Sequence, residues 1–167
     1  PRALKSRFSL KLSYQYYQPQ ELAVIAKASA QRIGMEISDE AAEFLGLNGG
    51  GEPRKINQII QTAKSLRKTI DINTAKEVME VVDIFPKGLS RLQVQIMLFL
   101  INQPRMTGGL TTIAGALGED KKDIQTDYEM YLVRERFIMI ASGGRQLTDK
   151  GVAYVQELGR LGYLNNA

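Results

Sequence analysis

A glycine-rich turn separates two helical patterns in this chain: Asn48-Gly49-Gly50-Gly51-Glu52-Pro53-Arg54. Three glycines end the first pattern, and proline is well tolerated at the start of the second. The second pattern runs from Lys55 to Leu66, so Arg54 stands at a helix N-terminus. An arginine in this position suits a phosphate ligand. The alternative interpretation is a helix–loop–helix turn with a solvated arginine.

The composition excludes several classes of chemistry. The chain has 167 residues with 44% hydrophobic content, which is enough for one or two small domains. It contains neither cysteine nor histidine, which removes disulfides, thiol catalysis, imidazole bases and the usual zinc sites, and we predict no metal site. The absence of a long apolar run predicts no membrane segment and a cytoplasmic protein. A net charge of +4 permits nucleic-acid binding without arguing for it.

The first half of the chain predicts a small helical domain. Apolar residues at helical spacing indicate four helices, with Ser38 and Asn73 as N-caps of the second and fourth: 20–33, 39–47, 55–66 and 74–82. Before them, apolar residues alternate with polar ones from Phe8 to Tyr14, which is typical of a half-buried strand. Because a single strand needs a sheet and the chain does not begin with methionine, we expect a preceding domain.

The second half shows a different order of elements. An amphipathic helix from Ser90 ends at Gln103-Pro104, and Leu110–Gly118 has the pattern L-x-x-I-A-x-x-L-G, typical of the first helix of a helix-turn-helix pair. A helix through Arg134, a strand at 137–140, a turn at 142–145, a returning strand and a last helix capped by Asp149 follow. This order predicts a winged-helix domain.

Six motifs of this chain occur in the order of a known family. They are Leu4-Lys5-Ser6-Arg7-Phe8, Tyr16-Tyr17-Gln18-Pro19-Gln20-Glu21-Leu22, Gly51-Glu52-Pro53-Arg54-Lys55-Ile56-Asn57, Gly109 to Glu119, Tyr128-Glu129-Met130-Tyr131-Leu132 and Gly144-Arg145. With these motifs the chain resembles the C-terminal two-thirds of the bacterial RuvB family, AAA+ motors that drive branch migration of Holliday junctions. The spacing of the first three motifs also fits that family.

The resemblance implies a mainly α fold: a small four-helix AAA+ lid domain followed by a winged-helix domain with a β-hairpin wing. Residues 1–17 would be the end of a missing ATPase core, and residues 18–83 the lid. Residues 84–89 would be a linker, and residues 90–167 the DNA-binding winged helix.

The resemblance also implies roles for five residues. Arg7 would be the arginine finger, which acts in trans on the nucleotide of a neighbouring subunit. Tyr17 would contact the adenine, and Pro53 with Arg54 would form sensor 2, which reports on the γ-phosphate. Arg145 in the wing would contact the DNA backbone; the alternative for Arg145 is a solvated hairpin residue.

The whole protein implied by the resemblance is an ATP-dependent DNA helicase that works as a homo-hexameric ring. It would act in Holliday-junction branch migration, recombination and repair, with a junction-binding loading partner and no membrane partner. ATP or ADP with Mg²⁺ would bind only together with the ATPase core, because this chain has no Gly-x-x-x-x-Gly-Lys-Thr loop. We do not expect this segment alone to hydrolyse ATP.

Several positions depart from the family pattern. Glu52 stands where the family usually has threonine, and its charge is expected to weaken anion binding. Ile140 and Gly143 stand where the family has wing arginines, which predicts weaker DNA contact. Lys121 and Lys122 alternate with acids, so a solvated helix face is the expected role. The departures leave open a stand-alone winged-helix regulator that binds DNA, or a protein-interaction module without ATPase activity.

Overall fold

The computed structural model describes residues 15–66 and 69–164. The chain divides into two compact units, Pro1–Val78 and Met79–Ala167. The predicted strand from Phe8 to Tyr14 lies outside the described residues. Within the described ranges, no helix has the length and apolarity needed to cross a bilayer.

The first unit is helical, as predicted. Its described elements are α1 (Pro19–Arg32), β1 (Glu36–Ile37), α2 (Asp39–Asn48), α3 (Pro53–Leu66), β2 (Thr69–Ile70) and the start of α4 (Ile72–Val81). The two short strands pair in parallel. Apolar side chains at helical spacing fill its core: Leu22, Ala26, Ala30, Leu45, Ile56, Ile59, Ile60 and Ala63.

Side-chain caps fix where two of these helices begin. The hydroxyl of Ser38 accepts the Ala41 N–H at 3.1 Å, which confirms the predicted cap of α2. The predicted cap of α4 was wrong, because the Asp71 carboxylate, and not Asn73, accepts the Thr74 N–H, at 2.7 Å. The helix therefore begins at Ile72, with Asn73 inside its first turn.

The second unit has the element order of a winged helix. It comprises β3 (Ile84–Phe85), β4 (Leu89–Ser90), α5 (Arg91–Ile101), β5 (Thr107–Gly108), α6 (Leu110–Leu117), α7 (Lys121–Asp123), α8 (Glu129–Arg134), β6 (Ile138–Ala141), β7 (Gly144–Leu147) and α9 (Asp149–Arg160). A π-helical turn, Ile124–Tyr128, joins α7 to α8, so that these three pieces form one continuous recognition helix. The predicted mainly α fold, with a hairpin wing, is confirmed.

The wing is part of a three-stranded antiparallel sheet with the order β5-β7-β6. Thr107 pairs with Gln146 in β7, and Ile140 pairs with Arg145 across the hairpin. Strand β5 has only two residues, which are too few to show an alternating pattern in the sequence. The last helix is capped by Thr148 and not by Asp149: the Thr148 hydroxyl accepts the Gly151 N–H at 3.1 Å.

The segment predicted as a linker, 84–89, folds into the second unit. Strands β3 and β4 pair around a short turn, and Ile84, Phe85 and Leu89 are buried. The hydroxyl of Tyr154 donates to the carbonyl oxygen of Pro86 at 2.5 Å. Proline and glycine indicated a turn correctly, but the apolar residues around them anchor that turn in the winged-helix core.

Candidate functional site

The glycine-rich turn of the first unit is held against the two tyrosines that precede α1. The backbone N–H of Tyr17 donates to the carbonyl oxygen of Gly51 at 3.2 Å. Gly51 has φ +80°, and a Cβ there would lie 2.7 Å from the Cβ of Tyr16. Only glycine meets both conditions. Tyr17 therefore lies beside the turn that leads into Pro53, with 47% of its surface exposed.

Pro53 and Arg54 form the first turn of α3, which begins two residues earlier than predicted. Arg54 is exposed. Within the described residues, its guanidinium has no hydrogen bond or ion pair. The N-terminal end of a helix carries partial positive charge, to which an unpaired arginine adds a full one. The start of α3 can therefore accept an anion.

Glu52 is paired within the same turn. Lys55 Nζ donates to Glu52 Oε1 at 3.2 Å, and the lysine side chain is 19% exposed. The expectation that Glu52 weakens anion binding did not include the charge of Lys55. In the structure, Lys55 offsets much of that charge, so the turn as a whole keeps the excess positive charge of Arg54.

Arg7, the predicted arginine finger, lies outside the described residues. Of the other predicted nucleotide-contacting residues, Tyr17 has its backbone bonded to Gly51, two residues before Pro53, and Arg54 is exposed in the first turn of α3.

Arg145 in the wing is held by an acidic partner on the recognition helix. Its Nε donates to Glu129 Oε2 at 2.6 Å and its Nη2 to Glu129 Oε1 at 3.0 Å. The side chains of Arg145 and Glu129 are only 14% and 7% exposed. The sequence alternatives, phosphate contact or a solvated residue, both placed this guanidinium in water, and the structure places it in a buried two-bond pair.

The exposed face of the recognition helix has balanced charge. Lys121 and Lys122 are exposed, as are Asp123 and Asp127. Within the described residues neither lysine side chain forms an ion pair. This matches the solvated face predicted from the sequence, and it leaves two lysine side chains available at the N-terminal end of the helix.

The wing and the adjoining helix also expose apolar side chains. Met130 on α8 is 64% exposed, and Met139 and Ile140 on β6 are 49% and 60% exposed. Ile140 stands where an arginine was expected, and it does not bury its side chain in the core.

Arg105 is an exposed cation that no sequence motif marks. It precedes β5 with φ +55°, and its carbonyl oxygen accepts the Thr107 hydroxyl at 3.0 Å. Within the described residues its guanidinium has no partner. One signal was available: the stretch 101–118 contains this arginine and no acidic residue.

The fold defines the class of protein: a small helical domain is followed by a winged-helix domain, which is a helix-turn-helix unit with a β-hairpin wing. Residues 86–156 match the family model described as the RuvB C-terminal winged helix domain. The RuvB subunit of the Holliday junction branch migration complex from Kosmotoga olearia is 32% identical over 159 residues, which cover 91% of this chain and 46% of that protein. The same subunit from Crocosphaera subtropica is 32% identical over 167 residues, covering 95% and 46%.

The solved structures agree with this assignment. The RuvB Holliday junction branch migration motor of Thermotoga maritima aligns with a TM-score of 0.81 at 28% identity, covering 92% of this chain and 53% of that one. Residues 86–156 form a winged helix of the RuvB family, and the chain as a whole matches the C-terminal part of RuvB proteins. It spans about half the length of its curated relatives, 46% for the two quoted, which is less than the two-thirds inferred from the motifs.

Proposed function

We propose that this chain is the lid and DNA-binding part of an ATP-dependent motor that moves DNA at Holliday junctions. The observation that carries the proposal is the alignment with RuvB subunits along 91% of the chain, across both the helical unit and the winged helix. The relatives' names state that they are subunits of a Holliday junction branch migration complex.

DNA contact is proposed for the winged-helix unit through three exposed cations: Arg105, Lys121 and Lys122. Each is exposed, and each lacks an ion-pair partner within the described residues. Contacts of this kind go to backbone phosphates and fix position rather than sequence, which suits a protein that moves along DNA.

The DNA proposal is tested by titrating four-way junctions and plain duplexes across a range of salt concentrations. Each cation that neutralises a phosphate adds about 0.9 to the slope of log K against log salt. Replacing Arg105 or Lys122 by glutamine should lower that slope by about 0.9 each. Arg160, which is exposed near the end of α9, serves as a control whose replacement by glutamine leaves the slope unchanged. Salt-independent binding by the unaltered protein would refute the proposal.

Nucleotide contact is proposed for the first unit. The ring of Tyr17 would lie against the adenine, and Arg54 at the start of α3 would receive the phosphates, with Pro53 setting the helix start. The exposed tyrosine and the unpaired arginine fit such a group. ATP or ADP with Mg²⁺ would be held mainly by a P-loop domain outside this chain, and Arg7 would act on a neighbouring subunit. The ring assembly, with six subunits, and a junction-binding loading partner belong to the same proposal.

The nucleotide proposal is tested in a protein that contains the ATPase core. Arg54→Ala should abolish DNA-stimulated ATP hydrolysis while the circular dichroism spectrum stays unchanged. Arg32→Ala, at an exposed arginine in the last turn of α1, is the matched control and should keep full activity. Equal activity of the Arg54 variant and the control would exclude a sensor role for Arg54.

A protein-interaction role is the second candidate. The observation that favours it is the exposure of Met130, Met139 and Ile140 on a unit whose recognition helix has balanced charge. If this role is correct, Ile140→Glu should abolish binding to a protein partner such as the loading partner and leave the salt dependence of DNA binding unchanged. Loss of DNA binding together with unchanged partner binding would argue against it.

A further inference from the structure

The ion pair between Glu129 and Arg145 joins the recognition helix to the wing. Arg145 pairs with Ile140 across the hairpin, and its guanidinium reaches Glu129 through two hydrogen bonds of 2.6 and 3.0 Å. Two parallel bonds fix both distance and angle, which a single bond does not. Among residues 138–147, the sequence contains no other charged side chain.

The π-helical turn explains why a glutamate faces inward here. The N–H of Glu129 donates to the carbonyl oxygen of Ile124, five residues back instead of four. This pattern adds one residue to the turn and shifts the helix face by one position. Glu129 therefore lies on the same buried side of the helix as Ile124, whereas Met130 lies on the outer side and is 64% exposed. A regular α-helix would not stack these two residues.

A buried glutamine on α5 supports the π-helical turn. Nε2 of Gln93 donates to the carbonyl oxygen of Tyr128 at 3.1 Å, and Gln93 is only 3% exposed. Its Oε1 accepts the Ser90 N–H at 2.9 Å, so both ends of the amide are used. The buried amide of Gln93 therefore ties α5 to the backbone at the end of the π-helical turn.

We propose that Arg145 is a positioning residue, which sets the angle between the wing and the recognition helix through Glu129 and the Gln93-supported turn. In this role it makes no contact with DNA phosphate. The wing then contributes uncharged contacts, from the backbone of its turn and from Ile140. The inference rests on the proposed DNA-binding function for its effect on affinity, but the positioning itself does not depend on DNA.

The substitution Glu129→Gln distinguishes phosphate contact by Arg145 from positioning of the wing, because the two roles predict opposite changes in DNA affinity. If Arg145 contacted phosphate, removing its acidic partner would raise affinity and steepen the salt slope by about 0.9. If Arg145 positions the wing, Glu129→Gln should lower the affinity for DNA about fivefold, because the wing loses an uncharged contact with DNA. The salt slope of DNA binding should then stay unchanged. Arg145→Lys gives a second distinction: lysine keeps the charge for a phosphate but cannot form the two-bond pair.

The experiment titrates duplex DNA against the unaltered protein and the variants Glu129→Gln, Arg145→Lys and Arg145→Met at several salt concentrations. Arg105→Gln, which removes the exposed arginine just before β5, is the contrasting variant: it should lower the salt slope by about 0.9, as a lost phosphate contact does. We expect all three pair variants to lose affinity to a similar extent with an unchanged slope. A higher affinity of Glu129→Gln, or a Lys variant that binds like the unaltered protein, would overturn the proposal.

Hydrogen exchange on the DNA-free protein gives a readout that does not need DNA binding. Amides of residues 138–147 should exchange on the order of 100-fold faster in Glu129→Gln and Arg145→Lys, because a buried charge loses its partner, while amides of α5 keep their protection. Unchanged exchange in the wing would refute the positioning role. If the unaltered protein binds no DNA but the wing amides respond, the DNA proposal fails and the positioning role stands.

Discussion

Replacing Gly144 by alanine should detach the wing from strand β5. Gly144 has φ +126°, a region that is almost restricted to glycine and costs other residues about 1–3 kcal/mol. A Cβ there would also lie 2.3 Å from the carbonyl oxygen of Gly108 and 3.0 Å from the Cα of Gly109. Those atoms belong to the backbone, so they cannot move aside as a flexible side chain can.

The two effects give an estimate of the destabilisation. Forcing an extra methyl group into a packed site costs about 1–3 kcal/mol, and the strained φ adds a similar amount. The sum, about 2–6 kcal/mol, is a large part of the stability of a domain of this size, which is about 5–15 kcal/mol. The sheet contact of Gly144 is therefore a sensitive point of the winged-helix unit.

The neighbouring glycine supplies the control. Gly143 is not among the residues with positive φ, and a Cβ there would make an ordinary contact of 3.4 Å with Cγ2 of Thr107. Gly143→Ala should change the free energy of unfolding by no more than about 0.5 kcal/mol. Urea denaturation followed by circular dichroism, together with hydrogen exchange of residues 138–147, measures both variants. Equal stabilities of the two alanine variants would refute the steric reasoning.

Three further predictions concern single side chains. Hydrogen bonds from the Thr74 N–H and hydroxyl lower the pKa of the Asp71 carboxyl below its ordinary value. The stabilisation by the Asp71 carboxylate is therefore present at neutral pH and is lost as the pH falls through that lowered pKa. Asp71→Asn keeps the cap and should make the acid side of the stability–pH curve shallower, and an unchanged curve would contradict this. Tyr154→Phe removes the donor to the Pro86 carbonyl from a part-buried hydrogen bond and should cost about 1 kcal/mol in urea denaturation. An effect below about 0.5 kcal/mol would show that the hydroxyl does not anchor the turn. Arg54→Ala should leave the unfolding midpoint within experimental error, since its side chain is exposed and unpaired within the described residues; a large loss of stability would assign Arg54 a structural role instead.

The order of elements could be read from the sequence because local signals set it. The glycine-rich turn before Pro53 and the hairpin turn at Ser142-Gly143 both end one periodic pattern and begin another. Caps were less predictable, since Asp71 and Asn73, or Thr148 and Asp149, are close neighbours with similar capping ability. The choice between them depends on backbone geometry that the composition does not fix.

The pairing of Arg145 could not be predicted, because it depends on helix phase and on contacts distant in sequence. A regular helix would not place Glu129 on the inner side of the recognition helix, and the π-helical turn that does so is supported by Gln93, which lies 35 residues before Tyr128. The sequence motif marked Arg145 as a wing residue correctly. It could not show that a carboxylate 16 residues away binds that guanidinium inside the unit.

The small number of proposed phosphate contacts has a consequence for the affinity of DNA binding. If Arg105, Lys121 and Lys122 each neutralise one phosphate, the salt slope of one winged-helix unit is about −2.7, and affinity falls only about 40-fold between 50 and 200 mM salt. Proteins with six to ten phosphate contacts lose roughly 10³–10⁵ over the same range. One unit is therefore expected to bind DNA weakly, and tight binding requires several units acting on one DNA molecule. Weak contacts in each unit also suit movement along DNA, because no single unit has to break many phosphate contacts at each step.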